Sequence, residues 1–324
     1  MIVLSMITYN SYSKMKGSIG LERVLDSTLQ IPYRQIILVN DSSDETLSVV
    51  KAWCEEHGKE LLNSRSRLYG YYRHTRATAR QTAIDIFLEN FDNEWIMFVD
   101  DDVILRDGWW SWVLENKALE DKIVGEIWGI NWDASPERER FLAMFGIDLK
   151  NYLIRKFHER GGTHDTLYRR DAIEGIKIPP ELHVYEDAYL HFYVTCRGYE
   201  SIINPVGATH YHPAYALTDL KCEKEKVKLA IEVALKYGIC EYEEARILGK
   251  RIGGLKAYLA LLRPIIGLPP MLLTTIRVYG LKTGVVEAFK RQYLKLWFRW
   301  QVLKNVDKVG RIPDVCEIIR HKGS

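Results

Sequence analysis

Short apolar runs alternate with amphipathic segments and polar turns through the first hundred residues, and this alternation most restricts the folds open to the chain. Residues 2–8 (IVLSMIT) form an apolar strand, followed by a polar loop over 9–18. Residues 21–29 space their apolar side chains at i, i+3 and i+4, as a helix with one buried face does, and Pro32 stops them. A second strand, 35–39, ends in Asn40-Asp41-Ser42-Ser43-Asp44, where Ser42, Ser43 or Asp44 can cap a helix over 45–57. A short strand over 60–63 and a helix over about 75–89 come next. Strands and helices alternating through short connections imply an α/β fold with a largely parallel sheet. Ligands of such sheets bind beyond the carboxyl ends of the strands. Asn10, Asp41 and Asp100 to Asp102 all fall at such ends, so one crevice can collect them.

The next strand, Trp95-Ile-Met-Phe-Val, stops abruptly in Asp100-Asp101-Asp102. Adjacent carboxylates repel one another and are costly to desolvate, so a divalent cation or cationic ligand that neutralises them is the functional reading. Hard oxygen ligands favour Mg²⁺ or Mn²⁺, both of which usually act with phosphate groups. A solvated turn is the plain alternative. Farther on, Trp109, Trp110 and Trp112 cannot share one helix face, and core plus a partly exposed edge outweighs a stacking platform. Residues 123–131 read as a strand, and 133–160 are too mixed to assign. Gly161-Gly162 allows close backbone approach to a ligand, or simply a turn. Glu186-Asp187 opens a helix over 188–197 that Gly198 closes; favourable interaction with the helix dipole is reason enough for both acids. After a strand over 199–205, His210 and His212 would point the same way on an extended segment.

Composition is that of an ordinary globular protein, 47% hydrophobic and 27% charged, with a net charge of +2. The charge is unevenly spread. Residues 245–324 hold 16 Lys+Arg against 4 Asp+Glu, leaving 29 against 39 in residues 1–244. An acidic body, residues 1–215, therefore precedes a basic helical region, residues 216–324, suited to an anionic partner. Helices are expected over 221–236, 241–251 and 285–302. Lys256, Arg263 and three prolines interrupt the apolar stretch 255–276, which argues against a spanning helix. Lys290, Arg291, Lys295 and Arg299 lie among Phe289, Tyr293, Trp297, Phe298 and Trp300, a mixture that suits an anionic membrane face. Helices packed on the body with a solvated basic face are the comparable alternative. The five cysteines are dispersed without a CxxC pair, indicating neither a disulfide framework nor a zinc site. The expected setting is cytoplasmic, peripheral to the membrane, with no nucleic-acid partner.

Taken in order, these features resemble the inverting family 2 glycosyltransferases of the GT-A fold, over residues 1 to about 213. Ile7-Thr8-Tyr9-Asn10 corresponds to the family's N-terminal strand and nucleotide turn. Val39-Asn40-Asp41-Ser42-Ser43 resembles V-D-D-G-S, which makes Asp41 the acceptor for a base N–H. Ala79-Arg80-Gln81 resembles A-R-N, with Thr75 where that motif carries glycine. Phe98-Val99-Asp100-Asp101-Asp102 is similar to D-x-D, which implies Asp102 on a metal bridging the donor diphosphate and Asp100 near ribose and metal. Asp101 belongs to the same nucleotide-sugar loop but is expected to point elsewhere and to tolerate substitution better. Gly161 and Gly162 would lie by the donor sugar. Glu186-Asp187 resembles the E-D motif, implying Asp187 as catalytic base with Glu186 as fallback, and His210 or His212 would complete the metal site. Leu296 replaces the glutamine of the processive Q-x-x-R-W, so polymer synthesis is not expected.

The resemblance implies Mn²⁺ or Mg²⁺, a UDP- or GDP-sugar donor, and a glycan or polyprenyl-phosphate-linked acceptor. A sugar-nucleotide nucleotidyltransferase is the enzymatic alternative, but it wants a glycine-rich phosphate loop, and residues 9–18 contain only Gly17. A non-catalytic carbohydrate-binding module on the same fold is disfavoured by the acidic triplet, Glu186-Asp187 and the histidines.

Overall fold

The computed structural model describes residues 2–132, 143, 148–210, 217–239, 265, 267–304 and 313–322. The chain forms two compact units: Met1–Ala134 with Gly161–Ala214 and Ile319–Ser324, and Ser135–Arg160 with Tyr215–Ile318.

In the first unit, β1 (Ile2–Thr8), α1 (Ser11–Lys14), α2 (Ser18–Ser27), β2 (Tyr33–Asn40), α3 (Thr46–Glu56), β3 (Glu60–Ser64), α4 (Arg76–Asn90), β4 (Trp95–Val99), β5 (Val103–Leu105), α5 (Trp109–Glu115) and β6 (Val124–Asn131) follow one another. After α6 (Leu149–Arg160), which belongs to the second unit, come β7 (Asp165–Arg169), α7 (Arg170–Ile173), α8 (Glu186–Cys196) and β8 (Glu200–His210). One eight-stranded sheet results, in the order β3-β2-β1-β4-β7-β6-β8-β5. The half built from β3, β2, β1 and β4 is parallel. The other half is mixed, because β7 runs antiparallel to both β4 and β6, and β5 antiparallel to β8, while β6 and β8 are parallel. The largely parallel character read from the sequence holds, since β6 and β8 run with β1 to β4 and only β7 and β5 are reversed.

Strands β1, β2 and β4 are buried on both faces, which is why they read as continuous apolar runs rather than alternating ones. Leu4, Met6, Leu38, Met97 and Val99 pack with Leu21, Leu25, Val50 and Trp53 of α2 and α3. Helix α4 packs against β1 and β2, and its side chains are buried from Ala77 to Ile84 without a break, so no amphipathic stripe marks it. Thr75 caps it, accepting from Thr78 N at 3.1 Å and donating to Pro180 O at 2.8 Å. The chain leaves β1 toward β2 on one side and returns through β4 on the other, so a crevice opens at their carboxyl ends. Trp109 is fully buried and Trp110 and Trp112 half-buried, the expected core plus edge.

In the second unit, α9 (Leu220–Tyr237), α10 (Leu268–Tyr279) and α11 (Leu281–Lys304) are helical. Helices α10 and α11 form a hairpin at Gly280, whose φ of +77° favours glycine. Thr275 donates to the Gly284 carbonyl at 2.7 Å, and a Cβ on Gly284 would overlap the Ile276 backbone. Glu287 accepts from Thr218 N and Lys290 Nζ, each at 2.8 Å; burial opposes its charge, but these contacts hold the carboxyl down to about 2. No helix among the described residues is long and apolar enough to cross a membrane. The expected helix over 241–251 and most of the apolar stretch 255–276 up to 266 lie outside the described residues. Cys54 and Cys222 are free thiols, whereas Cys196 and Cys316 are disulfide-bonded, a state that their dispersed spacing does not signal.

Candidate active site

The loops after β1 and β2 are knitted together by polar side chains. Thr8 donates to Asn40 Oδ1 at 2.8 Å. Asn10 takes the left-handed conformation (φ 53°), its N–H donating to Ser42 Oγ at 2.7 Å while its Oδ1 accepts from Ser43 N at 2.9 Å. Asparagine tolerates that backbone better than most residues. Asp41 accepts from Ser66 N at 3.1 Å and from the Ser66 hydroxyl, with His74 Nδ1 at 3.7 Å. A carboxylate offers about four acceptor positions, so Asp41 keeps capacity for a ligand N–H. Tyr9 is exposed, with the Lys14 ammonium 5.4 Å from its ring centre.

Arg80 on α4 is 1% exposed. Its Nη2 donates to Asp100 Oδ1 at 3.2 Å and to Thr163 Oγ1 at 2.7 Å, and the guanidinium lies over the Phe98 ring at 4.7 Å. Its Nε and Nη1 are buried without a partner. Unsatisfied buried donors on a cation are costly and favour an incoming anionic oxygen. Burial works against a charged Asp100, but Arg80, His164 and Arg76 outweigh it and hold the carboxyl below its usual range.

Asp101 has a partner of its own. It does diverge from Asp100, but it accepts a hydrogen bond from Ser11, tying the triplet to the first loop; burial and the neighbouring Asp102 push its carboxyl up to about 6.

Asp102 immediately precedes Val103, which pairs with His210 across β5 and β8. The register thus brings His210 to the end of the acidic triplet, while His212 lies outside the described residues. No three His, Cys, Asp or Glu side chains among the described residues gather as a metal cage. A carboxylate and an imidazole nonetheless fit a Mn²⁺ or Mg²⁺ ion that takes its other ligands from a diphosphate.

Protein packing by itself requires glycine at 161 and 162. Gly161 has φ +73°, and a Cβ there would overlap His191; one on Gly162 would come within 2.7 Å of Trp128 Nε1. On the same side, α8 presents Glu186 and Asp187 in its first turn. Glu186 is 2% exposed and its Oε2 has no partner. Burial, reinforced by Asp187 and opposed by Arg76 and Arg80, pushes its carboxyl up to about 8. Asp187 is half-buried, and its Oδ1 accepts from Ala188 N at 2.8 Å. Its charge also acts on His164, His191 and Arg76, so the structure brings the Glu186-Asp187 turn and the Asp100 end of β4 into one electrostatic neighbourhood.

Several residues of this neighbourhood were not singled out from sequence. His164 Nδ1 donates to Asp165 Oδ1, while Asp165 Oδ2 accepts from Trp109 Nε1 at 2.9 Å; a Cβ on Gly129 would overlap that carboxylate. The His164 ring stands edge-on to His210 with centres 5.7 Å apart. Glu126 is fully buried between His191 and Tyr168. A lone carboxylate inside the apolar run of β6 was the available signal, since buried charge demands a partner.

The family model described as Glycosyl transferase family 2 matches residues 5–176. No curated protein sequence matches the chain. Among solved structures, a mannosyltransferase from Pyrobaculum calidifontis in complex with GDP-Man and Mn²⁺ superposes with a TM-score of 0.52 at 17% identity, covering 94% of this chain and 86% of that one. A mycobacterial protein gives 0.50 at 12% identity, covering 74% and 76%. Glucosyl-3-phosphoglycerate synthase from Mycobacterium tuberculosis, solved with Mn²⁺, UDP-Glc and glycerol 3-phosphate, gives 0.49 at 14% identity, covering 75% and 82%. At such identities the first two likenesses are of fold alone. With the family match spanning more than half of its length, the chain belongs to glycosyl transferase family 2 and is a glycosyltransferase.

Proposed function

We propose that this enzyme moves a single sugar from a UDP- or GDP-sugar to a hydroxyl of a glycan or polyprenyl-phosphate-linked acceptor, with divalent-metal dependence and inversion at the anomeric carbon. The observation that carries this reading is the pairing of a buried, anion-ready Arg80 beside Asp100 with the accessible Asp187 beside a proton-retaining Glu186. One half suits a departing diphosphate; the other suits an attacking hydroxyl.

Thr8, Asn10 and Asp41 form the nucleotide side, Asp41 accepting the base N–H and the Asn10 loop lining the ribose. Asp101 holds that loop against the triplet through Ser11. Asp102 and His210 would hold the metal, with Asp100 turned toward Arg80 and the ribose. When bound, the ion supplies Lewis-acid stabilisation of the diphosphate as negative charge builds on it. Arg80 offers its free N–H groups to the same oxygens. Asp187 takes the proton from the acceptor hydroxyl as it attacks from the opposite face, and in-line displacement inverts the anomeric centre. Glu186 stays protonated near neutrality and so leaves Asp187 as the base.

A thermal-shift screen of UDP- and GDP-sugars, with GDP-mannose and UDP-glucose included, tests the donor site. A ligand at 100 times its Kd adds about 2.7 kcal/mol, so a Tm rise of several degrees with Mn²⁺ and little without it is expected. A rise that survives chelation of divalent ions would remove the metal from the scheme.

The basic region is read as peripheral membrane contact. Val286, Phe289 (55% exposed), Tyr293 and Trp300 (51% exposed) recur on one face of α11, with Lys282 and Lys304 exposed on the same face. The Lys304 ammonium lies 5.4 Å from the Trp300 ring centre, and that of Lys224 4.8 Å from the ring of Tyr293. Exposed aromatics among lysines suit an anionic headgroup layer. Arg299, by contrast, is buried and does not serve that face. Vesicles containing phosphatidylserine should co-sediment the protein, and Phe289→Ser with Trp300→Ser should weaken binding by about tenfold or more, since burying one such side chain is worth ~1.5–3 kcal/mol. Equal binding to neutral phosphatidylcholine would count against the electrostatic part.

A further inference from the structure

Glu126 sits at full burial in β6. Its Oε2 meets His191 Nδ1 at 2.6 Å and the Ser201 hydroxyl, and its Oε1 accepts from Tyr168 at 2.8 Å. The Tyr168 hydroxyl also lies 3.3 Å from the Gly162 carbonyl, to which Thr166 donates at 3.1 Å. His191 is 3% exposed and lies one helical turn after Asp187 on α8. Its Cβ fills the space that a side chain on Gly161 would need. One chain of contacts therefore joins the helix bearing Glu186-Asp187 to β6, β7, β8 and the Gly161-Gly162 turn.

We propose that Glu126 and His191 are positioning residues, a buried pair that fixes the first turn of α8, and with it the Asp187 carboxylate, against the Gly161-Gly162 turn. This rests on the reading of Asp187 as the base. A structural role alone could be met by apolar side chains of similar volume, which often replace buried ion pairs without loss of stability. What apolar packing cannot do is fix the axial rotation and height of α8. His191 donates in a set direction to an oxygen that is itself held by Ser201, while Tyr168 holds the other oxygen. Burial works against a charged imidazole here, and the Glu126 carboxylate outweighs it. The pair thus holds its geometry by charge as well as by hydrogen bonding. Displacement of a catalytic group by about 1 Å can cost ~100-fold in rate.

The experiment compares Glu126→Ala, His191→Ala, the double variant and His191→Asn with the parent, measuring kcat and the KM for the nucleotide sugar under saturating Mn²⁺, with circular dichroism as a check on folding. Both alanine variants are expected to lose about 10- to 100-fold in kcat with KM within about twofold. The double variant should be no worse than the poorer single one, because the two act as a unit. His191→Asn, whose amide nitrogen stands where Nδ1 does and can still donate to Glu126, should recover most of the loss and supplies the readout if an alanine variant does not fold. Unchanged kcat in folded variants, additive losses, or no recovery with asparagine would overturn the proposal. Asp187→Asn is measured alongside: if it retains turnover, the reading of Asp187 has failed, whereas an inactive Asp187→Asn beside fully active Glu126 and His191 variants fails the positioning role alone.

Discussion

Asp187→Asn is expected to lower turnover by about 10²- to 10⁴-fold, the usual contribution of a positioned base, while Mn²⁺-dependent binding of the nucleotide sugar stays close to that of the parent. The amide preserves volume and its Oδ1 can still accept from Ala188 N, so the first turn of α8 keeps its shape. It cannot accept a proton at neutral pH. Glu186→Gln provides the contrast. Because the buried Glu186 carboxyl is pushed up to about 8, it is already neutral under assay conditions, and the amide should retain most of the activity. The substitution should also change the pH dependence of stability. The unfolded chain releases this proton near 4.5 and the folded protein only near 8, so the unfolded state binds fewer protons across that window. Stability conferred by the neutral carboxyl is therefore lost as pH rises from about 4.5 to 8. Thermal melts of Glu186→Gln between pH 5 and 8 should fall less steeply than those of the parent. A dead Glu186→Gln beside an active Asp187→Asn would exchange the two roles.

Arg80→Met should weaken binding of the nucleotide sugar by about 10- to 150-fold, because buried hydrogen bonds to charged groups are worth ~1.5–3 kcal/mol. Methionine fills much of the space over Phe98 but offers nothing to Asp100, Thr163 or a phosphate oxygen. Arg80→Lys should not restore affinity, since one ammonium cannot reproduce a planar fork that serves Asp100 and Thr163 while keeping further N–H groups free. Asp100 should respond as well. Arg80 is the largest influence holding its carboxyl below the usual range, so removing the guanidinium lets burial raise it and makes donor binding fall off at a higher pH. Titration calorimetry with a nucleotide diphosphate and Mn²⁺ measures both effects. Unchanged affinity would mean that the free guanidinium nitrogens never meet the donor.

Elements whose pattern is local were legible from the sequence to within a residue or two. The strands Ile2–Thr8 and Trp95–Val99 and the helices Thr46–Glu56 and Arg76–Asn90 follow from apolar runs, caps and turn residues within a few positions of one another. So did the convergence of acidic residues at strand ends, because a parallel sheet places all its carboxyl ends together. The antiparallel insertion of β7 between β4 and β6 was not legible, since no short-range signal says on which edge a returning strand will pair. The packing at Gly161 and Gly162 was equally hidden: the crowding comes from His191, 30 residues on from Gly161, and Trp128, 34 residues back from Gly162.

The acidic triplet shows the same division. Sequence periodicity was sufficient to place Asp100, Asp101 and Asp102 at the end of a buried strand, where three carboxylates demand neutralisation. Which partner each would find was beyond it. Arg80 meets Asp100 from α4, Ser11 meets Asp101 from the first loop, and the β5–β8 register carries His210 to the end of the triplet. Glu126 finds His191 65 positions away. Secondary structure is set by neighbours a few residues apart, but a carboxylate is neutralised by whatever cation or donor the packed chain brings within about 3 Å. That choice exists only once the sheet and its helices have closed around the crevice.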